Sequence, residues 1–453
     1  MVKKVKSEST ELPDCIISHI FSKLSLKNLV KTSALSKQWY HEWGLRKDLN
    51  FDLHNMFDCN PELPKTPLFP LFQQLQSQFA TRLDYFIQKY HGDIISSIRI
   101  NFPLGRDNTH VIDRLIHKGV FKGVNRIELL LAYPRPLPDF EKAMKAMPFP
   151  YNESDFEKAM IPYNESDFEI EPYNFFLSDS HNSLTYLHLQ NCRIMEFSGL
   201  KNLTTLVLHL LPVEQNMLQD MCLKCIHLHN LTLNECTFRS DLKITSTTLL
   251  HLNINCGDII GEKINIDIIA SNLSSVQYSS DCLAEFLLHT LNIKSHKLSN
   301  FSYTCAQISN LVHFSGLKNV TTIVLDGLME GDVINFGLRE GDVITHLFSK
   351  CLQLQHVTIS QCWLTCECKI ISAKLRHLSI LHCFNTNVLD IASNGSLFEY
   401  RGHPETKSIL SIHALNLSSF EFRGRSEMRS IISIEAPKLL KDFWDAGFNK
   451  ICI

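Results

Sequence analysis

A short pattern, L-x-x-L-x-L-x-x-C, recurs along this chain and limits its possible folds more than any other feature. In the L-x-L part of each copy, every second residue is apolar, which is typical of a strand with one buried face. Successive copies mostly begin 19 to 25 residues apart, and a fixed period of that length predicts a solenoid of stacked units. Four copies are close: Leu184, Leu187, Leu189 and Cys192; Leu228, Leu231, Leu233 and Cys236; Leu354, Val357, Ile359 and Cys362; Leu375, Leu378, Ile380 and Cys383.

Looser copies extend the stack in both directions. The unit length and pattern resemble leucine-rich repeats, and this resemblance implies one strand per unit in a parallel-strand horseshoe. Traces such as Ile95-x-x-Ile98-x-Ile100 and Val124-x-x-Ile127-x-Leu129 place the start of the stack near residue 94. We therefore predict a leucine-rich-repeat solenoid over residues 94–453. The looser copies begin at Leu203, Leu249, Leu273, Leu298, Val320 and Leu417.

The outward strand positions form the predicted concave face, which is the default binding surface of such a solenoid. These positions are mainly neutral and polar, with charge only near the end of the chain, so the face disfavours nucleic acid. We predict that it binds a protein substrate. The residues are Tyr186, His188, Gln190, Asn230, Thr232, Asn234, His251, Asn253, Asn255, His356, Thr358, Ser360, Glu399, Arg401, Glu421 and Arg423.

Copied segments interrupt or extend the regular pattern. FSGLKNLTTLVL at Phe197 returns as FSGLKNVTTIVL at Phe314, which indicates that a block of repeats was duplicated. The one long step contains GLMEGDVI followed by GLREGDVI, and we expect this insertion to bulge from the outer side. PYNESDFE also occurs twice, within an acidic, proline-rich stretch at about 134–172. We predict a loop insertion there, either a tolerated surface insertion or a partner-binding segment.

The N-terminal segment has apolar residues at helical spacing. Pro13 suits a first helical turn, and Ser25 and Ser36 are suitable N-caps for a second and third helix. Three helices in about 35 residues bury too little surface to be stable alone, which indicates that they pack on a partner surface. A helical cap on the repeat array is the other reading of the same pattern.

The segment ELPDCIISHIFSKLSLKNLVKTSALSKQWYHEW resembles the F-box motif. The resemblance covers four parts of the motif in order: Leu12-Pro13 at its beginning, Ile20-Phe21-x-x-Leu24, Leu29-Val30, and Leu35-Ser36-Lys37-x-Trp39 at its end. It implies an F-box over residues 8–50 that docks on a Skp-type adaptor and, through it, on a cullin and a RING subunit. The implied adaptor contacts are Leu12, Pro13, Ile16, Ile20, Leu24, Leu29 and Leu35.

Residues 51–93 separate the F-box segment from the predicted stack. Leu71, Leu75, Phe79, Leu83, Phe86 and Tyr90 follow a helical stripe there, which predicts a packing helix that caps the first repeat. The order of F-box, helical connector and repeats resembles the plant family of F-box proteins with leucine-rich repeats. The expected fold class is therefore α/β, a small three-helix F-box followed by the solenoid.

Composition excludes several other classes of protein. The 453 residues have a formal net charge of -3, which provides no global field to hold a nucleic acid or a membrane surface. The start lacks a secretory signal, and 15 cysteines spread through the chain are typical of reduced thiols. We therefore expect a cytoplasmic and/or nuclear protein with no membrane partner.

Motifs for catalysis and metal binding are weak. Cys222-x-x-Cys225 and the group Cys362, Cys366 and Cys368 have spacings that zinc can use, but they lie in different repeats. None of the common hydrolase, metalloprotease, phosphate-binding or dinucleotide-binding motifs occurs. We predict no catalytic residues, no metal and no cofactor.

These observations favour a non-catalytic, substrate-recognising subunit of an SCF-type (Skp–cullin–F-box) ubiquitin ligase. Two alternatives share the same scaffold: a co-receptor whose face is completed by a small-molecule hormone, and a scaffold protein without ligase function. The sequence does not identify the substrate, because repeats vary their surface without leaving motifs.

Overall fold

The structure is a computed structural model that describes most of the repeat region and a few positions of the F-box segment. Contacts within the chain define two compact units, Met1–Asn202 and Leu203–Ile453. The described residues are Ile16, His19, Ile20, Lys23, Leu24, Leu26, Asn28 and Lys31, together with 46–57, 69–104, 106–132, 172–177, 183–259, 264–280, 289–305, 311–313, 318–327, 347–348, 351–362, 367–384, 388–402, 409–423, 430–439, 441–445 and 448–452.

The first unit contains a parallel sheet and the helices that pack on it. The sheet has the strand order β1-β2-β3-β5, and a separate parallel pair joins β4 to β6. Single-turn 3-10 helices lie at Arg106–Asn108 and Ser198–Leu200. The other elements are β1 Asp48–Asp52, α1 Leu53–Met56, α2 Phe69–Lys89, β2 Ser97–Asn101, α3 Thr109–Phe121, β3 Arg126–Leu130, β4 Tyr173–Phe175, β5 Tyr186–Gln190 and β6 Cys192–Ile194.

Strand β1 corrects the predicted start of the stack. Leu49 and Phe51 are fully buried, and β1 pairs in parallel with β2, so the sheet begins near residue 48 rather than near 94. The sequence DLNFD hides this strand because Asp and Asn are depleted in strands and no leucine opens the segment three residues earlier.

Helix α2 confirms the predicted apolar stripe. Phe79 stacks on Phe102 at a ring-centroid distance of 4.3 Å, and Phe86 meets the edge of Phe51 at 5.2 Å. Tyr90, just past the end of the helix, is 2% exposed, and its hydroxyl donates to the Arg46 carbonyl at 2.7 Å. The helix therefore packs on the side chains of the first two strands.

The second unit is a longer stack of parallel strands. Its main sheet has the order β7-β9-β11-β13-β15-β17-β18-β20-β22-β24-β26, with β8 paired to β9. Helix α4 spans Gln215–Lys224. The strands of this sheet are β7 Thr205–His209, β8 Pro212–Val213, β9 Asn230–Phe238, β11 His251–Ile259, β13 Ser275–Ser280, β15 Asn300–Cys305, β17 Thr322–Asp326, β18 His356–Ser360, β20 His377–Cys383, β22 Leu397–Gly402, β24 Ser419–Arg423 and β26 Lys441–Asp445.

Two further parallel sheets follow the returning segments of the repeats, with the orders β10-β12-β14-β16 and β19-β21-β23-β25-β27. The expectation of one strand per unit was therefore wrong for much of this unit. Segments such as INIDIIA alternate Ile with polar residues, so they bury one face as strands do. Their strands are β10 Leu242–Ser246, β12 Ile264–Ala270, β14 His289–Lys294, β16 Leu311–His313, β19 Glu367–Ser372, β21 Val388–Ser393, β23 Ile409–Ala414, β25 Ser430–Glu435 and β27 Phe448–Cys452.

The leucine pattern builds the core as predicted. Every apolar residue and cysteine of the four close copies is at most 3% exposed. Two of the looser copies carry tyrosine at the last buried strand position, and Tyr278 stacks on Tyr303 at 5.4 Å. The predicted leucine-rich-repeat solenoid is thus confirmed, although the stack starts earlier and carries additional sheets.

The cysteine of each close copy donates its thiol hydrogen to backbone carbonyls. Cys236 Sγ lies 3.4 Å from the Leu208 carbonyl on the preceding strand, and Cys362 Sγ lies 3.1 Å from the Ser360 carbonyl. Burial raises the pKa of the Cys236 thiol to about 12, so the group stays protonated and keeps its hydrogen. The cysteine at this repeat position therefore satisfies backbone carbonyl acceptors next to the strand.

A residue in the left-handed backbone region follows each of five strand cores. In four repeats this residue directly precedes the cysteine, for example Gln361 with φ 50° before Cys362. A side chain in this region costs about 1 to 2 kcal/mol, and the chain accepts that cost to turn sharply after the strand. The five residues are Asn191, Leu210, Glu235, Gln361 and His382.

Because of this turn, Gly and Val substitutions should rank in opposite order of stability at two nearby positions, Gln361 and Thr358. At Gln361, Gly should be more stable than Val by about 2 kcal/mol, because a β-branched residue is strongly disfavoured at positive φ. At Thr358, within strand β18, Val should be more stable than Gly. Urea unfolding of the four variants tests the prediction, and the same order at both positions would contradict it.

The described helices include none that is both long enough and apolar enough to cross a lipid bilayer. Several sequence predictions lie outside the described residues: the acidic loop up to residue 171, the two GLxEGDVI copies beyond Gly327, and Cys366. The predicted domain bounds, 8–50, 51–93 and 94–453, stay predictions as a set.

Candidate functional site

Parallel pairing without offset places the outward strand residues in rows, which we call the main-sheet face. In the second unit, Asn230, His251 and Ser275 lie side by side on β9, β11 and β13 in one row. Thr232, Asn253 and Gln277 form the next row, and Asn234, Asn255 and Ser279 form the third. Each row continues across the later strands through β24.

All predicted face residues that the structure describes point away from the core. His251 and His356 are exposed. The others are half-buried between their neighbours on adjacent strands: Tyr186, His188, Gln190, Asn230, Thr232, Asn234, Asn253, Asn255, Thr358, Ser360, Glu399, Arg401 and Glu421. Arg423 shares the row of Arg401. Their role in binding a substrate stays a prediction.

The main-sheet face also includes residues on β13, β15 and β17 that were not predicted to belong to it. Strands β13, β15 and β17 insert between the close copies, and they belong to the looser copies that carry tyrosine, phenylalanine or valine in place of leucine. Reading alternate residues from Leu273, Leu298 and Val320 would have found them. They are Ser275, Gln277, Ser279, Asn300, Ser302, Thr304, Thr322, Val324 and Asp326.

Amide and hydroxyl groups on this face are linked from strand to strand. Asn255 Nδ2 donates to Asn234 Oδ1 at 2.9 Å, and Asn230 Nδ2 donates to Thr205 Oγ1 at 3.1 Å. Ser360 Oγ donates to Asp326 Oδ1 at 2.6 Å. These bonds hold polar groups in a fixed arrangement that can exchange hydrogen bonds with a peptide backbone.

A histidine, serine and glutamate cluster occupies the later strands. Ser379 Oγ lies 2.9 Å from His377 Nε2 and donates to Glu399 Oε2 at 3.3 Å, so the hydrogen on His377 Nε2 points at the serine. Burial and the neighbouring His356 ring lower the pKa of His377, which keeps it neutral at neutral pH. Ser379 is 4% exposed, so its hydroxyl links strands and is not presented as a nucleophile.

Charge on the face also occurs in the first unit, which corrects the expectation of charge only late in the chain. Arg99, Arg126 and Glu128 lie on outward positions of β2 and β3. The predicted start near residue 94 already included both strands, so their outward residues could have been read from the Ile98 and Ile127 segments.

The possible metal ligands are not gathered. Among the described residues, no group of three or more His, Cys, Asp or Glu side chains is close enough to hold an ion. Burial raises the pKa of Cys225 to about 12, and it also raises the pKa of Cys222, which disfavours the thiolate that a metal needs. The absence of a metal site elsewhere stays a prediction.

The described positions of the N-terminal segment divide into exposed and buried residues. Ile16 is 46% exposed, and Ile20, one helical turn later, is half-buried. Leu24 is also half-buried, and its carbonyl accepts from Arg46 Nη1 at 2.6 Å. Leu26, by contrast, is 1% exposed. The other predicted adaptor contacts, Leu12, Pro13, Leu29 and Leu35, lie outside the described residues.

An in-register stack of parallel strands with a buried leucine pattern and a polar outward face defines a leucine-rich-repeat protein. Residues 9–47 match the family model of the F-box domain, and residues 157–335 match that of the At1g61320/AtMIF1 leucine-rich-repeat domain. These two matches support a plant-type F-box protein with leucine-rich repeats.

Curated relatives from Arabidopsis thaliana share parts of the chain. F-box protein At1g80960 is 28% identical over 95 residues, which are 21% of this chain. F-box/FBD/LRR-repeat protein At2g04230 is 25% identical over 160 residues, which are 34% of this chain. The matched region spans 18% of the first relative and 33% of the second.

Proposed function

We propose that this F-box protein is the substrate-recognition subunit of an SCF-type ubiquitin ligase, with no catalytic role of its own. The observation that carries the proposal is the F-box match at residues 9–47, joined in one chain to an extended polar sheet face. The F-box docks on a Skp-type adaptor, and through it the chain reaches a cullin and a RING subunit. The main-sheet face then holds a protein substrate for ubiquitination, in the cytoplasm or the nucleus.

The exposure of the N-terminal side chains supports docking on an adaptor. Ile16 leaves nearly half of a large apolar side chain in solvent, and Ile20 lies on the same helical side. An adaptor that covers both gains apolar burial worth about 25 cal/mol per Å². The bond between Arg46 and the Leu24 carbonyl ties the base of this segment to the residues next to β1. The F-box segment is thus tied down at Leu24, and Ile16 remains available to a partner.

The Leu12→Ala, Pro13→Ala double variant should lose binding to a Skp-type adaptor while the repeats remain folded, because neither residue belongs to the leucine pattern that builds the repeat core. The measurement is a pull-down of the purified adaptor together with circular dichroism of the variant. Undiminished binding would show that these residues are not adaptor contacts.

A single charge provides a sharper version of this test. Ile16→Asp should also abolish adaptor binding, because the carboxylate would be buried against an apolar surface. The matched control is Leu223→Asp, at a leucine that is 71% exposed on helix α4, and it should bind the adaptor normally. Recovery of the wild-type chain from plant cells without adaptor or cullin would overturn the proposal itself.

A further inference from the structure

Two arginines share one glutamate on the main-sheet face of the first unit. Arg126 contacts Glu128 Oε1 through Nε at 2.7 Å and through Nη2 at 2.6 Å. Arg99 Nε lies 3.2 Å from the other oxygen, Oε2, of the same carboxylate. The guanidinium carbon Cζ of Arg126 also lies 3.6 Å from the centroid of the Tyr186 ring. One carboxylate and one aromatic ring therefore hold both guanidinium groups in place.

The glutamate and the two arginines of this cluster differ in their exposure to solvent. The Glu128 side chain is only 13% exposed, whereas the side chains of Arg99 and Arg126 are each 45% exposed. The carboxylate is enclosed, and the outer edges of both guanidinium groups face solvent. Arg126 also makes a side-chain hydrogen bond to Tyr186, whereas no partner of the two Nη atoms of Arg99 is recorded among the residues that the structure describes. These edges are donors in a fixed geometry.

The local charge limits what can bind there. The two arginines and Glu128 together carry one net positive charge. Asp48, on the strand beside β2, accepts from Ser97 at 2.6 Å and adds a negative charge next to the cluster. With Asp48 included, the four groups sum to zero, so no net field attracts a polyanion or a doubly charged phosphate, and a singly charged group is held by the arginine donors themselves.

We propose that Arg99 and Arg126 form a carboxylate-recognition site for an Asp or Glu side chain of a protein that lies on this face. The proposal rests on the substrate-recognition function above and names a chemical feature of the substrate. Arginine edges bind carboxylates through paired, charge-assisted hydrogen bonds. Because Glu128 and Tyr186 already fix the guanidinium of Arg126, less side-chain freedom is lost when the substrate binds.

The site can be tested with peptide libraries on the full chain, with and without a Skp-type adaptor. Three immobilised libraries have randomised neutral flanks and a central Glu, Gln or phosphoserine. The wild-type protein should be retained about tenfold better by the Glu library than by the Gln library, as one net charge-assisted pair provides. Equal retention by these two libraries would overturn the proposal. Stronger retention by phosphoserine would also overturn it, since the partner would then be a phosphopeptide.

Variants identify the residues responsible. Arg126→Gln and Arg99→Gln should each remove the preference for Glu, and Arg193→Gln, an exposed arginine on β6, should keep it. Glu128→Gln raises the cluster from one to two positive charges, so its preference should move toward phosphoserine. An unchanged Glu preference in both arginine variants would contradict the assignment.

A pull-down of the adaptor with the same variants separates this proposal from the proposed function. Normal adaptor binding without any Glu preference would reject the carboxylate site alone. Loss of adaptor binding by the wild-type chain, with the Glu preference intact, would reject the ligase role alone.

Discussion

Replacing Leu231 by Asp is expected to lower the free energy of unfolding of the second unit by more than about 3 kcal/mol. Leu231 is 1% exposed and pairs in register with Leu206 on β7 and Leu252 on β11. A carboxylate at this position has no polar partner, and in a stack each repeat is stabilised by its two neighbours. Both interfaces are therefore weakened by one substitution.

The adjacent outward positions provide matched controls. Asn230→Asp and Thr232→Asp place the same group in the half-buried rows of the face, and each should change stability by at most about 0.5 kcal/mol. Urea unfolding of the three variants gives the comparison. Equal losses at all three positions would mean that the inside and outside of β9 have been exchanged, as a one-residue slip of register would do.

The Leu231→Asp deficit should also depend on pH. Burial raises the pKa of a carboxyl group, so the folded variant binds a proton more readily than the unfolded variant. The destabilisation is complete above the folded pKa and shrinks as the pH falls through it. Leu231→Asn, which cannot titrate, should show no such recovery when the same unfolding curves are measured at pH 5 and pH 8.

Gly199→Ala is the second substitution with a large expected effect, a loss of about 3 kcal/mol. A Cβ at Gly199 would lie 2.2 Å from the Leu177 carbonyl oxygen and 2.9 Å from its carbon. Both are backbone atoms, so the chain itself must move. Thermal unfolding of the variant measures the loss.

Gly119→Ala in helix α3 is the matched control in the same unit. There the nearest atom is Ile98 Cδ1 at 2.4 Å, the end of a flexible side chain that can rotate away. The gain of about 1 kcal/mol in helix propensity offsets part of the crowding. A smaller loss for Gly199→Ala than for Gly119→Ala would show that the Leu177 backbone yields easily.

Some of the signals that place residues in this fold act within one short segment of the sequence. Leu187 and Leu189 could be placed inside, and Tyr186 and His188 outside, because alternation and period act within one short segment. Strand β1 was missed because Asp48 and Asn50 have low strand propensity, and pairing with β2 overrides that preference. Local composition alone cannot supply such a tertiary contribution.

The residues of the candidate site could also be predicted from the sequence, but the contacts between them could not. The outward residues of β9 and β18 follow from the leucine pattern, and the charged pair Arg99 and Glu128 could have been added from the Ile98 and Ile127 segments. Their contact, however, depends on the register between β2 and β3, whose strands are separated by helix α3. The side-by-side rows, and with them every cross-strand bond on the face, required the structure.

The strand pairing of the second unit also fixes the spacing of the side chains that a bound chain meets as it crosses the sheet. Neighbouring strands lie about 4.8 Å apart, so two strand steps span about 9.6 Å. A polyproline II segment repeats its side-chain direction every three residues, or about 9.3 Å, whereas a β-extended segment repeats every two residues, or about 6.7 Å. A ligand in the polyproline II form therefore stays nearly in phase with alternate strands over several turns, and a β-extended ligand loses phase within one or two repeats.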